Sequence, residues 1–194
     1  MARGYRMTAR AEAAAETARR IVDVAKRLFL QRDYDDVTLQ DVADGAGVSL
    51  QTVLRRFDSK ERLANAVGEE MTPQIEASRA VQHPGDVGEA VRRVLASFEA
   101  MGEVNWRMLR QEHRIAILRE LLQRGRASHR RWIEAAFAPH LPARGRARER
   151  MIVKLFAATD FYQWKLLRVD LGLPLGEVER TMREIVEAIV KERS

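Results

Sequence analysis

Residues 38–60 read TLQDVADGAGVSLQTVLRRFDSK, and this stretch decides how the rest of the chain is interpreted. Leu39, Val42, Ala43 and Ala46 recur at i, i+3, i+4 and i+7, the repeat of one buried helical face. Thr38 stands at the N-cap position with Asp41 three residues on, the reciprocal pattern in which each side chain satisfies a free backbone N–H. Gly45 and Gly47 are expected to end that helix, because glycine adopts left-handed conformations without steric cost. Ser49 can cap a second helix, on which Leu50, Val53, Leu54 and Phe57 fall on one face. Gln51, Thr52, Arg55 and Arg56 are thereby turned to the other.

A short, polar, doubly positive face on the second of two helices suits the DNA major groove. Gln can bond adenine in bidentate fashion, Thr can offer its hydroxyl or touch a thymine methyl, and Arg can bond guanine or hold phosphate. Spacing alone fits equally two small amphipathic helices within an all-helical core, the polar face merely solvated.

The longer run TLQDVADGAGVSLQTVLRRFDSKERL, residues 38–63, resembles the DNA-binding region of tetracycline-repressor (TetR) family regulators. The family pattern there is approximately T-x-x-x-I-A-x-x-A-G-V-S-x-x-T-L-Y-x-H/Y-F-x-S/N-K-x-x-L. The chain departs from it at Leu54, where the family commonly has a phosphate-bonding Tyr, and at Arg56, where it has His or Tyr. Base contacts are expected from Gln51 and Thr52, with Ser49 and Leu50 at the start of the same helix. Phosphate contacts are expected from Thr38, Arg55, Arg56 and Lys60, with Arg56 in place of the missing Tyr.

The chain of 194 residues is long enough for one domain or two small ones and has an ordinary apolar content of 46%. It has no cysteine, which excludes disulfides and thiolate metal sites and fits a cytoplasmic setting. No apolar run approaches the roughly 18 residues of a membrane span, and MARGYRMTAR lacks the apolar core of a secretory signal. The net charge of +6 is not spread evenly: residues 1–70 carry twelve basic and twelve acidic side chains, whereas 107–150 carry twelve basic against four acidic. Overall basicity is therefore no argument for DNA; only local placement is.

Arg3, Arg6 and Arg10 precede the first helix without an acidic residue, which fits either an arm reaching phosphate or the minor groove, or a solvated tail. From about Thr8 to Gln31, Ala14, Ala18, Ile21, Ala25, Leu28 and Phe29 mark a long amphipathic helix. After the motif a helix carries Leu63, Val67, Met71 and Ile75, with Lys60 in its first turn, where free N–H groups also favour phosphate. Gln82-His83-Pro84-Gly85 is a break. Helices are then expected over 86–104, about 112–137, 146–171 and 175–193, with PARGRARER, 142–150, as a basic turn. Gly125 lies within a helical stripe, suited to close approach of a helix or a ligand, and His129 on the same stripe reads as a core histidine.

The four histidines show no metal-ligand spacing, and no Walker loop, dinucleotide fingerprint or nucleophile elbow occurs, so no metal, cofactor or enzymatic activity is expected. Aromatic and polar residues cluster in the later half. Phe98, Met101, Trp106, Met108, Gln111, Trp132, Phe156, Asp160 and Trp164 are candidates for an effector pocket, although such stripes also serve as plain core.

The expected architecture is all-α with about nine helices: an N-terminal three-helix helix-turn-helix DNA-binding domain, 1–75, and a C-terminal helical effector-binding and dimerisation domain, 76–194. The family resemblance implies a homodimer through the last two helices. It further implies a repressor that binds a palindromic double-stranded DNA operator and is released by a small-molecule effector. The rival expectation is a helical small-molecule-binding or partner-interaction protein without specific DNA recognition.

Overall fold

The structure, a computed structural model, describes residues 2–192, with side chains from residue 11 onward. Arg3, Arg6 and Arg10 lie outside the residues whose side chains are described. The order is α1 (Ala2–Gln31), a 3-10 turn (Tyr34–Asp36), α2 (Leu39–Ala46), α3 (Leu50–Phe57), α4 (Lys60–Arg79), α5 (Val87–Gln111), α6 (Ala116–Ala136), α7 (Arg146–Thr159), α8 (Phe161–Lys165) with a π-helical continuation (Leu166–Asp170), and α9 (Leu175–Lys191). The described residues contain no strand.

The chain divides into two compact units, residues 1–71 with 110–121, and residues 72–109 with 122–194. In the first, Ile21, Val24 and Ala25 of α1 pack with Val42, Ala43 and Ala46 of α2, Val53 of α3, and Leu63 and Val67 of α4. Two polar contacts reinforce this packing. Arg20 Nε donates to Ala46 O at 3.0 Å, and Lys26 pairs with Glu70. Residues 110–121 join the unit through Arg110 and Arg114, which reach Asp33 and Asp35 in the loop before α2.

The second unit has its own core, built from Val91, Val94 and Phe98 of α5, Trp132, Ile133 and Ala136 of α6, Ile152 and Leu155 of α7, and Val178, Met182 and Val186 of α9. Helix α1 of the first unit already begins at Ala2 and not near Thr8, and three further boundaries differ from the sequence expectation. Helix α5 runs on to Gln111, because nothing between 104 and 111 breaks it and Gly102 is used for packing: a Cβ there would stand 2.3 Å from Trp164. Helix α6 begins only at Ala116, the chain turning over 112–115. The expected helix 146–171 is interrupted at Asp160, whose backbone is extended and whose Oδ1 accepts the Tyr162 N–H at 3.0 Å. A carboxylate that caps a new helix start competes with continuation of the old one.

Candidate nucleic-acid interface and ligand cavity

The local chemistry of residues 38–60 forms as its residue types dictate. Thr38 Oγ1 accepts from Asp41 N at 3.0 Å while Asp41 Oδ2 accepts from Thr38 N at 2.9 Å. These bonds hold the Asp41 carboxyl below the usual carboxylate range, Thr38 contributing most. Helix α2 ends on Gly47 in the left-handed conformation, φ 63°, with its N–H returned to Ala43 and Asp44. Gly45 does something else. It lies inside α2, and a Cβ there would meet Val24 Cγ1 at 2.7 Å, so this glycine serves the approach of α2 to α1 and not the turn.

Helix α3 starts at Ser49, whose Oγ accepts from Thr52 N at 3.2 Å and lies 2.9 Å from the Thr52 hydroxyl. Its burial is narrower than the apolar spacing suggests. Val53 is fully buried and Phe57 half-buried, but Leu50 and Leu54 are 37% and 41% exposed. The helix is thus rolled toward Val53, which leaves Leu50, Gln51, Leu54, Arg55 and Arg56 on the open side and Thr52 at its edge. The expectation that Leu50 and Leu54 help hold the helix inward is corrected. Two leucines bracket the polar face instead. Arg55 and Arg56 are exposed, with no ion pair among the described residues. Asp58 takes φ 66° to close the helix, its N–H donating to Leu54 O at 2.7 Å.

Ser59 then starts α4, its Oγ accepting from Arg62 N at 3.3 Å. Lys60, in the first turn, is half-buried, with Nζ 4.1 Å from the centre of the Tyr34 ring. Burial pushes the Lys60 ammonium below its usual value and pushes the Tyr34 phenol above its own. Thr38 is exposed near the start of α2.

A separate cavity lies wholly within the second unit, with a volume of about 760 Å³. Its apolar wall includes Phe98, Ile152, Phe156 and Phe161; its polar lining includes Arg79, His129, Asp160 and Gln163. Of the residues singled out in the sequence, Phe98, Phe156 and Asp160 line it. The others stand elsewhere. Trp132 is buried, donates Nε1–H to Arg79 O at 2.8 Å and stacks on His129, their centres 5.2 Å apart. Trp164 is buried against Gly102 and donates to Glu99. Trp106 is exposed beneath Lys165 Nζ, and Met101 and Met108 are half-buried outside the lining. Gln111 is buried in the first unit.

Gly125 lines the cavity, and a Cβ there would meet nothing within 4 Å, so it admits no neighbouring helix. Arg79 and His129 are the lining residues that sequence reasoning undervalued. An arginine near a helix end reads as solvated and a histidine on an apolar stripe reads as core. Among the described residues no group of three His, Asp or Glu side chains is placed to hold a metal ion, and no helix is long and apolar enough to cross a membrane.

Residues 21–67 match the family of bacterial regulatory proteins named for tetR. The match covers the helix-turn-helix of α2 and α3. An uncharacterised HTH-type transcriptional regulator of Mycobacterium tuberculosis is 39% identical over 80 residues, covering 41% of this chain and 39% of that protein. The HTH-type transcriptional regulator AlkX of the same organism is 30% identical over 80 residues, covering 41% and 38%. The chain thus spans about two fifths of the length of the curated relatives it matches. Among solved structures, a tetR-family regulator of Streptomyces coelicolor superposes with a TM-score of 0.72 at 16% identity, covering 92% of this chain and 88% of that one. The multidrug binding protein EbrR, solved with imidazole, superposes with a TM-score of 0.65 at 20% identity, covering 90% and 89%. At these identities the likeness shows a shared all-helical fold over nearly the whole chain.

Proposed function

We propose that the chain is a sequence-specific DNA-binding transcription regulator that works as a homodimer and is modulated by a small molecule. The observation that carries the reading is the open face of α3. Gln51, Thr52, Arg55 and Arg56 lie on a helix anchored through Val53, which a turn with Gly47 in the left-handed conformation joins to α2. Gln51 and Thr52, with Ser49 and Leu50 at the start of α3, read base edges. Thr38, Arg55, Arg56 and Lys60 hold phosphates.

Two copies would present two reading helices to successive major grooves of an inverted repeat, about 34–36 Å apart. The dimer contact is assigned to the last helices, where Val153, Val169, Leu171, Leu175 and Ile185 are exposed although apolar. On this reading a ligand in the cavity favours the conformation that does not bind DNA, so that the chain is a repressor released by its effector. Such a regulator acts where the DNA is, in the cytoplasm.

Selection of binding sites from random duplexes tests this. Recovery of an inverted repeat supports the regulator. Salt-sensitive binding without any sequence preference would overturn it in favour of a helical small-molecule-binding protein.

A further inference from the structure

The cavity of the second unit contains a guanidinium whose pairing is incomplete. Arg79 uses Nε to donate to Ser97 Oγ at 2.8 Å and lies over the Phe98 ring, its Cζ 5.0 Å from the ring centre. Its two Nη groups have no partner among the described residues, and no carboxylate stands within ion-pair distance. Burial lowers its pKa to about 10, the charge of Asp160 acting in the opposite direction. The other lining arginines are Arg126 and Arg130, and Arg130 is neutralised by Glu149 and Glu134. Asp160 is the one carboxylate in the lining, and its Oδ1 is committed to the Tyr162 N–H.

His129 adds a second unmet group. It is 6% exposed and lines the same cavity. The Thr159 hydroxyl donates its proton to Leu155 O at 2.7 Å, so it can only accept from His129, whose Nε2 lies 3.1 Å away. That fixes the tautomer with the proton on Nε2 and a lone pair on Nδ1, which is buried without a partner. Phe156 stands edge-on to the imidazole, 4.8 Å between centres, and Phe98 and Phe161 continue the aromatic wall.

We propose that this cavity takes an aromatic acid. Its carboxylate is held by the Arg79 Nη groups, and its ring lies among Phe98, Phe156 and Phe161. A hydrogen-bond donor on the ring system, where the ligand has one, meets His129 Nδ1. A planar fork of N–H donors recognises a carboxylate bidentately, and a partly desolvated guanidinium gains more from an anion than a solvated one does. A cationic ligand meets the opposite situation, since the Phe98 face is already occupied by Arg79, whose own positive charge has no carboxylate at ion-pair distance.

This inference rests on reading the cavity as the ligand site. Its test needs no DNA, so failure of the regulator reading would show separately in the site selection. Calorimetric titration of the full chain at neutral pH with 2-naphthoate, 2-naphthalenemethanol and 2-naphthylmethylamine compares one ring system in three charge states. The acid is expected to bind at least tenfold tighter than the alcohol, and the amine weakest. In Arg79→Met, with Arg79→Gln as the polar counterpart should the first not fold, acid affinity is expected to fall at least tenfold while alcohol affinity stays within twofold. An amine as tight as the acid, an acid preference that survives both substitutions, or no binding by any of the three would overturn the proposal.

Discussion

Gln51 and Lys60 both belong to the proposed DNA face, yet their surroundings differ and so should their contributions. Gln51 is exposed on α3 beside Leu50 and Leu54, so its amide can reach a base edge and the leucines can reach thymine methyls. Lys60 is half-buried on the Tyr34 ring, a position from which it can offer charge but no base-specific pattern. In competition binding against variants of a selected site, Gln51→Ala should flatten preference at one position. Lys60→Ala should weaken every sequence alike and reduce the salt slope by about 1. Equal losses of preference in both variants would contradict this division.

His129 supplies a pH signature. Burial, and secondarily the charge of Arg79, lower its pKa to about 3, whereas the unfolded imidazole titrates near 6.5. Between those values the unfolded chain binds the additional proton, so stability is complete above about pH 6.5 and falls by about 1.4 kcal/mol per pH unit as pH drops. Denaturant unfolding from pH 6.5 to 5 should show a loss of about 2 kcal/mol, and His129→Leu should abolish most of that slope.

At the scale of elements, the short helices depend on their ends. Helix α2 has eight residues, too few to persist without tertiary support, and its first turn is closed by the Thr38–Asp41 pair. Thr38→Ala should therefore cost about 1 kcal/mol in thermal or denaturant unfolding, without changing the denaturant slope. Gly45→Ala should cost about 1–3 kcal/mol, because the new methyl must displace Val24 Cγ1, part of a stiff β-branched side chain in the core. If Gly45→Ala instead stabilises the protein, as an alanine in an open helix would, the close approach of α1 and α2 is wrong. Asp160 is the element-scale counterpart in the second unit. By ending α7 and starting α8 it brings Tyr162 and Gln163 into the cavity lining.

For the whole molecule, the exposed apolar residues of α7 to α9 require an account. Val153, Val169 and Leu171 are about three-fifths exposed, costly surface for a monomer in water. If these residues form the dimer contact, a Val169→Glu, Ile185→Glu double variant should sediment as a monomer at concentrations where the parent is a dimer, with helical content retained. It should also lose far more affinity for a two-half-site duplex than for a single half-site.

The local signals were legible in the chain because they are local: the Thr38 cap, the left-handed turn at Gly47 and the Ser49 start each involve residues within four positions of one another. Tertiary packing decided what spacing could not. The roll of α3 depends on which of its apolar residues the core of α1, α2 and α4 has room for, and that room is filled by Val53, leaving Leu50 and Leu54 outside. Gly45 takes its role from Val24, and Gly102 from Trp164, partners separated along the chain by 21 and 62 positions. The cavity was legible only in part. Phe98, Phe156 and Asp160 could be named from composition, whereas Arg79 and His129 acquire their meaning from Ser97, Phe98 and Thr159, brought to them by other helices. Sequence by itself determined that the chain is helical and carries a short capped helix with a polar face, since periodicity and capping act within a turn or two. Only the tertiary structure decided which faces stay open and where an unpaired charge lies, because burial is a property of everything that packs around a residue.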